Sequence, residues 1–70
     1  MKKDFIKKTG EVVEALPSTT FNVKLEGGQV IRAYLSGKMR IHNISVILGD
    51  KVQVAISPYD LTKGRIIRRL

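Results

Sequence analysis

Two short blocks in this chain gather the residue types that could do chemistry. Tyr34-Leu35-Ser36-Gly37-Lys38-Met39-Arg40 breaks a strand-like run at Ser36-Gly37 and then sets two cations within three residues. Lys63, Arg65, Arg68 and Arg69 fall within the last eight residues, with no acid among them. Between Gly27 and Gly49 there is again no Asp or Glu, only Arg32, Lys38 and Arg40. Cations without local counter-ions attract polyanions. A solvated basic loop is the plainer reading of the same pattern. Lys38, Arg40, Lys63, Arg65, Arg68 and Arg69 are the candidate phosphate contacts, with His42 or Tyr34 as a stacking group.

Catalysis finds no foothold. His42 is the single histidine and the one conventional base near neutral pH, so a Ser-His-Asp arrangement has nothing else to draw on. The 6 acids are scattered and form no evident carboxylate pair. Gly27-Gly28 lacks the following helix and the Lys-Ser/Thr of a phosphate-cradling loop. With no cysteine, neither a disulfide nor a thiolate metal site can form, and one histidine excludes the usual nitrogen clusters for zinc. The expectation is a non-enzyme with no cofactor, no metal and no catalytic residue.

A chain of 70 residues has room for one small domain, taken here as residues 1–70 with 1–5 a flexible basic N-terminus. The formal charge is +7, and its layout is uneven. Four lysines against Asp4 leave +3 in residues 1–8, the acid-free end gives +4, and the body between them balances to zero. No apolar run follows the lysines at the N-terminus, and none approaches the length of a membrane span. A membrane-surface module would carry a basic amphipathic helix, and none is present. A nucleic-acid binder is favoured, located in the cytoplasm or an organelle stroma.

The elements that must position these residues read as strands. Thr9 to Leu16 is rich in Val and Thr with partial alternation, as in a strand that bends, and Gly10 would relieve crowding at the bend. Pro17-Ser18-Thr19 is a turn. Phe21, Val23 and Leu25 mark one face of a second strand. Glu26-Gly27-Gly28 predicts a hairpin turn in which both glycines supply positive φ. In Val30 to Leu35, Ile31, Ala33 and Leu35 are assigned to the core, leaving Arg32 and Tyr34 outside. There Tyr34 would either stack a base or cover the barrel rim. Ser36 is a plausible N-cap for a turn or two of helix over Lys38 to Asn43. Val52, Val54 and Ile56 face inward on a fourth strand, Ser57-Pro58-Tyr59-Asp60 turns, and Arg65 to Leu70 forms a fifth strand with neither face clean. Five short strands with a helical insert between the third and fourth predict an all-β, five-stranded OB-fold barrel; an SH3-like barrel is the alternative.

Glu11-Val12-Val13-Glu14-Ala15-Leu16-Pro17, Ser36-Gly37-Lys38-Met39-Arg40, Gly49-Asp50-Lys51-Val52 and Ser57-Pro58-Tyr59-Asp60-Leu61-Thr62-Lys63-Gly64-Arg65-Ile66 resemble the bacterial and organellar translation initiation factor one family. The likeness runs from about residue 6 to residue 69 without an evident gap. It implies a monomeric OB barrel that binds the small ribosomal subunit at the aminoacyl-tRNA site. Such a factor sits on ribosomal RNA of the decoding region beside a small-subunit protein and works with the other two initiation factors in initiator-tRNA selection. Residue by residue, Gly37, Lys38, Met39 and Arg40 match the family's RNA-contacting loop. Lys63, Gly64 and Arg65 match its second basic block, and Arg69 a basic residue near its C-terminus. The chain departs from the family pattern at Asn43 (usually aromatic), Ser45 (usually basic), Asn22 (commonly a cation) and Arg68 (commonly aromatic). A general single-stranded RNA chaperone of cold-shock type is the alternative. It would need more exposed rings than Phe5, Phe21, Tyr34 and Tyr59 supply.

Overall fold

The computed structural model describes residues 5–42 and 45–70. Five strands, β1 (Ile6–Leu16), β2 (Thr20–Leu25), β3 (Val30–Leu35), β4 (Lys51–Ile56) and β5 (Lys63–Arg69), close into a barrel in the order β1-β2-β3-β5-β4. One short helix, α1 (Gly37–Ile41), lies between β3 and β4. This is the OB-fold arrangement: four ladders are antiparallel, and β3 meets β5 in parallel. The expected residues 1–4 of the N-terminal extension and the far end of the expected helix at Asn43 lie outside the described residues. Among those described, no helix is long and apolar enough to cross a membrane.

The alternation read from the sequence places the core correctly. Phe21, Val23 and Leu25 of β2, Ile31, Ala33 and Leu35 of β3, and Val52, Val54 and Ile56 of β4 are all buried. Val12, Met39, Val46 and Ile66 complete the same cluster. β1 is long enough to serve two neighbours, pairing with β4 through Ile6 to Glu11 and with β2 through Gly10 to Leu16. Its alternation is only partial because the register with β2 slips between Val12 and Glu14, which leaves Val13 as an extra, exposed residue. Such a bulge bends a strand and lets it pass from one side of a barrel to the other.

β5 shows the same device. Val54 opposes Ile66 and Gln53 opposes Arg68, so Ile67 is the inserted residue. The bulge shifts the phase of alternation by one, which is why neither face of Ile66-Ile67-Arg68-Arg69 reads cleanly. One turn departs from expectation in detail. At the β2–β3 hairpin only Gly28 takes a positive φ, of 93°, so Gly27 does not share that role. The Gly28 amide closes the turn on the Leu25 carbonyl at 2.8 Å. At the β1–β2 hairpin Ser18 and Thr19 both adopt positive φ, 63° and 54°. The right-handed twist of the paired strands favours this geometry even though a β-branched residue adopts it reluctantly.

Gly10 sits where β1 crosses closest to β2. A Cβ there would fall 2.6 Å from Val23 Cγ1 and 2.8 Å from the Lys24 carbonyl oxygen. The second contact is with backbone, which cannot swing aside. Gly10→Ala is therefore expected to lower unfolding stability by about 1–3 kcal/mol. Gly27→Ala, with nothing within 4 Å of its added Cβ, is expected to stay within about 0.5 kcal/mol of wild type. Chemical denaturation of the two variants checks this, and equal stabilities would refute the crowding argument.

Candidate nucleic-acid interface

The β3–β5 ladder builds the site. It pairs Arg32 with Lys63, Ala33 with Gly64, Tyr34 with Arg65 and Leu35 with Ile66. Outward-facing Arg32 and Tyr34 are thereby set beside Lys63 and Arg65, residues far along the chain. The sequence placed Arg32 next to Tyr34 but carried no sign of this cross-strand partner. Gly64 is buried, and a Cβ on it would press to 3.1 Å from Ile31 Cδ1 and 3.2 Å from the Ala55 carbonyl. The absence of a side chain is what lets β5 lie this close to the core.

Phe5 adds a contact that composition could not suggest. The Arg65 guanidinium carbon lies 5.7 Å from the centre of the Phe5 ring, within cation–π range. Among the described residues Arg65 Nε is buried without a hydrogen-bond partner, and the recess beside it is lined by Phe5 and by Asp60 of the β4–β5 turn. Tyr34 stands 44% exposed beside the same recess, whose other walls include Ala55, Ser57 and Lys63. A ring at this exposure is available to a ligand, and it also covers the recess.

α1 positions the other block. Ser36, buried, is its N-cap, and its Oγ accepts from the Met39 amide at 3.2 Å. The Ser36 amide donates to the Ile66 carbonyl at 3.1 Å, which ties the start of the helix to β5. Gly37 is exposed, and so are Lys38, Arg40 and His42, the last of these the C-cap. Met39 points the other way: it is 2% exposed and belongs to the core. Its side chain anchors the loop in the core. The Arg40 guanidinium donates to the Leu35 carbonyl at 3.3 Å, which seats that end of the side chain against the end of β3. Lys38, Met39 and His42 line one cleft with Ile67, Arg68 and Arg69 of β5.

The segment after α1 is held from two sides. Arg69 donates to the Ser45 carbonyl at 3.1 Å. The Asp50 carboxylate accepts from the Ile47 amide at 3.0 Å, and the Gly49 amide donates to the Val12 carbonyl at 2.8 Å. Asn22, at a position where a cation is common in the family suggested by the sequence, instead donates to Glu14 across the β1–β2 ladder at 2.8 Å. Asn43 lies outside the described residues.

The β4–β5 turn is organised by one carboxylate. Asp60 Oδ1 accepts from the Thr62 hydroxyl at 2.6 Å and from the Thr62 amide at 3.1 Å. These two bonds, the hydroxyl first, hold the Asp60 carboxyl below its ordinary value, and Lys63 adds attraction of the same sign. The Thr62 carbonyl in turn accepts from the Arg32 amide at 3.0 Å, which starts the β3–β5 ladder. The turn thus delivers Lys63 to its place beside Arg32.

A closed OB barrel in which Lys38 of one basic block shares a cleft with Arg68 and Arg69 of the other fits a nucleic-acid-binding class of protein. A family model, translation initiation factor 1A / IF-1, matches residues 2–70, and the chain belongs to that family. Its structure is similar to that of translation initiation factor one from the Wolbachia endosymbiont strain TRS of Brugia malayi. The two are 44% identical with a TM-score of 0.82, covering 97% of this chain and 80% of that one. It is also similar to part of YjeQ from Thermotoga maritima, at 30% identity and a TM-score of 0.75. That likeness covers 93% of this chain and 23% of YjeQ.

Two outcomes follow from this geometry. Met39→Ala should cost about 2–5 kcal/mol of stability, the range for emptying a buried Met site; Lys38→Ala on the exposed side should stay within about 0.5 kcal/mol. Comparable losses in thermal unfolding would contradict the inward placement of Met39. For Asp60 the folded carboxyl titrates lower than the unfolded one, so its contribution is present above the unfolded value and is lost as pH falls through the folded value. Asp60→Ala should therefore be less stable than wild type at about pH 7, with the gap closing well below about pH 4. Denaturation at both pH values measures the gap, and one that persists in acid would rule out the carboxylate as its source.

Proposed function

We propose that this protein binds the small ribosomal subunit at the aminoacyl-tRNA decoding site. It would do so through ribosomal RNA and an adjacent small-subunit protein, occlude the site, and assist the other two initiation factors in initiator-tRNA selection. Family membership supports the initiation role. The observation that carries the RNA reading is the convergence of the two basic blocks: the parallel β3–β5 ladder sets Arg32 and Tyr34 against Lys63 and Arg65. The cleft between α1 and β5 adds Lys38, His42, Arg68 and Arg69.

This arrangement suits folded RNA. Guanidinium groups seated on Phe5, Leu35 and Ser45 present fixed donors to phosphates, while exposed lysines supply longer-range attraction. RNA with unstacked bases is recognised by shape, phosphate contact and stacking, and one exposed tyrosine beside a guanidinium can take part in that. Gly37 and Gly64 act through the backbone, one by leaving the loop uncovered and the other by letting β5 approach the core. In this reading the protein acts as a monomer without cofactor or covalent step.

Attraction to phosphates makes affinity fall with salt, by about 0.7 to 0.9 in the log–log slope for each phosphate neutralised. Binding to isolated small subunits is expected to be saturable at one to one. In Lys38→Ala, Arg40→Ala the slope should be shallower by about two units, about one per cation removed. Bulk single-stranded RNA should bind far more weakly. Affinity that tracks total RNA and ignores the double substitution would instead mark a general RNA chaperone.

A further inference from the structure

An acid stands among the cations of the β3–β5 face. Asp60 lines the outer recess together with Phe5, Tyr34, Lys63 and Arg65, where phosphate contact gives a carboxylate no role. The recess follows from strand register. Lys7, Ala55, Arg65 and Tyr34 pair in one row across β1, β4, β5 and β3, on the face opposite the core residues Val54, Ile56, Ile66 and Leu35. Ala55 is only 8% exposed yet stands outside the core cluster, because it is the floor of this recess. Phe5 and Tyr34 are rings on its walls, 41% and 44% exposed, and the Phe5 ring carries the Arg65 guanidinium. The volume is about 210 Å³, below the roughly 300–1,000 Å³ of a pocket for a drug-sized ligand, so the recess suits one flat ring system.

Two polar groups here keep bonding capacity. Asp60 Oδ1 is committed to Thr62, while its second oxygen accepts no hydrogen bond among the described residues. Arg65 Nε is enclosed without a partner, and the terminal nitrogens of the same guanidinium make no hydrogen bond or ion pair among the described residues. A donor fork and a carboxylate therefore line one slot without pairing with each other.

We propose that this recess is a guanine subsite: one unpaired guanine of an RNA strand stacks on Phe5 and Tyr34, its N7 and O6 accept from Arg65, and its N1–H and N2–H donate to Asp60. The inference rests on the RNA reading above and adds a base preference to it. Guanine is the one base of the four with two adjacent acceptors beside two adjacent donors, which a guanidinium fork and a carboxylate match in turn. Adenine sets a donor next to its N7 and would turn it toward the cation. Cytosine has no N7–O6 edge, and uracil brings a single N–H. Ring faces alone take any base, so the preference comes from the polar edges. Because N1 and N2 are paired inside a duplex, the target is a guanine of a loop or bulge. Lys63, paired with Arg32 at the rim, takes the adjoining phosphate.

The test titrates the protein with the single-stranded pentamers UUGUU, UUAUU and UUUUU at one salt concentration. UUGUU is expected to bind about tenfold more tightly than the other two, towards the lower end of what one bidentate base contact confers. Asp60→Asn keeps an oxygen for Thr62 and exchanges the other for an amide donor, and it should hold the three pentamers within about twofold of one another. Arg65→Lys keeps the charge without the fork and should lose the preference as well. Equal affinities for the three pentamers in the wild-type protein overturn the proposal, as does a guanine preference that survives both substitutions. Guanosine monophosphate binding as tightly as UUGUU overturns the RNA strand as the source of the base. Isolated small subunits separate the two readings. Salt-dependent subunit binding without a guanine preference among the pentamers overturns the subsite and leaves the ribosomal role standing. No subunit binding, with the guanine preference intact, overturns the ribosomal role alone.

Discussion

The parallel ladder between β3 and β5 is the constraint on which the rest of the molecule depends. Parallel strands cannot be joined by a tight turn; they need a crossover. Here the chain between them includes α1, the segment through Asp50 and the whole of β4. That path does two things at once. It returns β5 to the open edge of β3 and closes the barrel, and it sends α1 across one end, where Met39 enters the core. The ladder's ends are anchored by contacts that belong to the loops: Thr62 receives the Arg32 amide, and Ile66 receives the Ser36 amide. Barrel closure and site assembly are therefore one event.

Closure matters more in a chain this short than in a larger one. A domain of about this length buries only about 60% of the surface its unfolded chain exposes, and without cysteine it has no covalent staple. Its core is small and nearly all aliphatic, so close backbone approach replaces bulk. Gly10 and Gly64 mark the two places where that approach is tightest, one where β1 crosses β2 and the other where β5 meets β3 and β4. Bulges at Val13 and Ile67 supply the bending that a five-stranded barrel demands. Edge exposure, the usual liability of a small sheet, is removed by the same closure.

Much of this was legible in the sequence, and what was not has identifiable causes. Period-2 patterns in β2, β3 and β4 named the buried faces correctly because each of those strands is regular and has one wet side. β5 resisted because its bulge resets the alternation in mid-strand, and a one-residue slip reverses the meaning of every position after it. Local pattern placed the basic residues in two loops and an end, but the neighbours Tyr34 and Arg65 are made by a non-local parallel pairing that no window of sequence contains. Phe5 fell in a stretch read as a flexible basic extension, yet its ring lies under Arg65. Ser36 was readable as a cap because an N-cap is a local motif. The inward turn of Met39 was not, since a five-residue helix is too short to show a periodicity.

The distribution of bonds among the cations has a further consequence for how such a surface works. Arg40, Arg65 and Arg69 are each seated on the protein itself, against the Leu35 carbonyl, the Phe5 ring and the Ser45 carbonyl. Their planar forks lose little freedom when a phosphate arrives, because part of the ordering has already been done. Lys38 and Lys63 have exposed side chains and make no side-chain hydrogen bond among the described residues. A lysine on a flexible stem gives up more rotamer freedom on contact but extends its field further into solvent beforehand. On the proposed RNA-binding reading, guanidinium groups would fix the orientation of bound RNA and ammonium groups would raise the frequency of encounter. A surface made only of lysines would attract RNA of any shape, whereas seated arginines around the β3–β5 ladder favour RNA whose phosphates match their spacing. On that reading, selectivity for a folded target would come from the same strand pairing that closes the barrel.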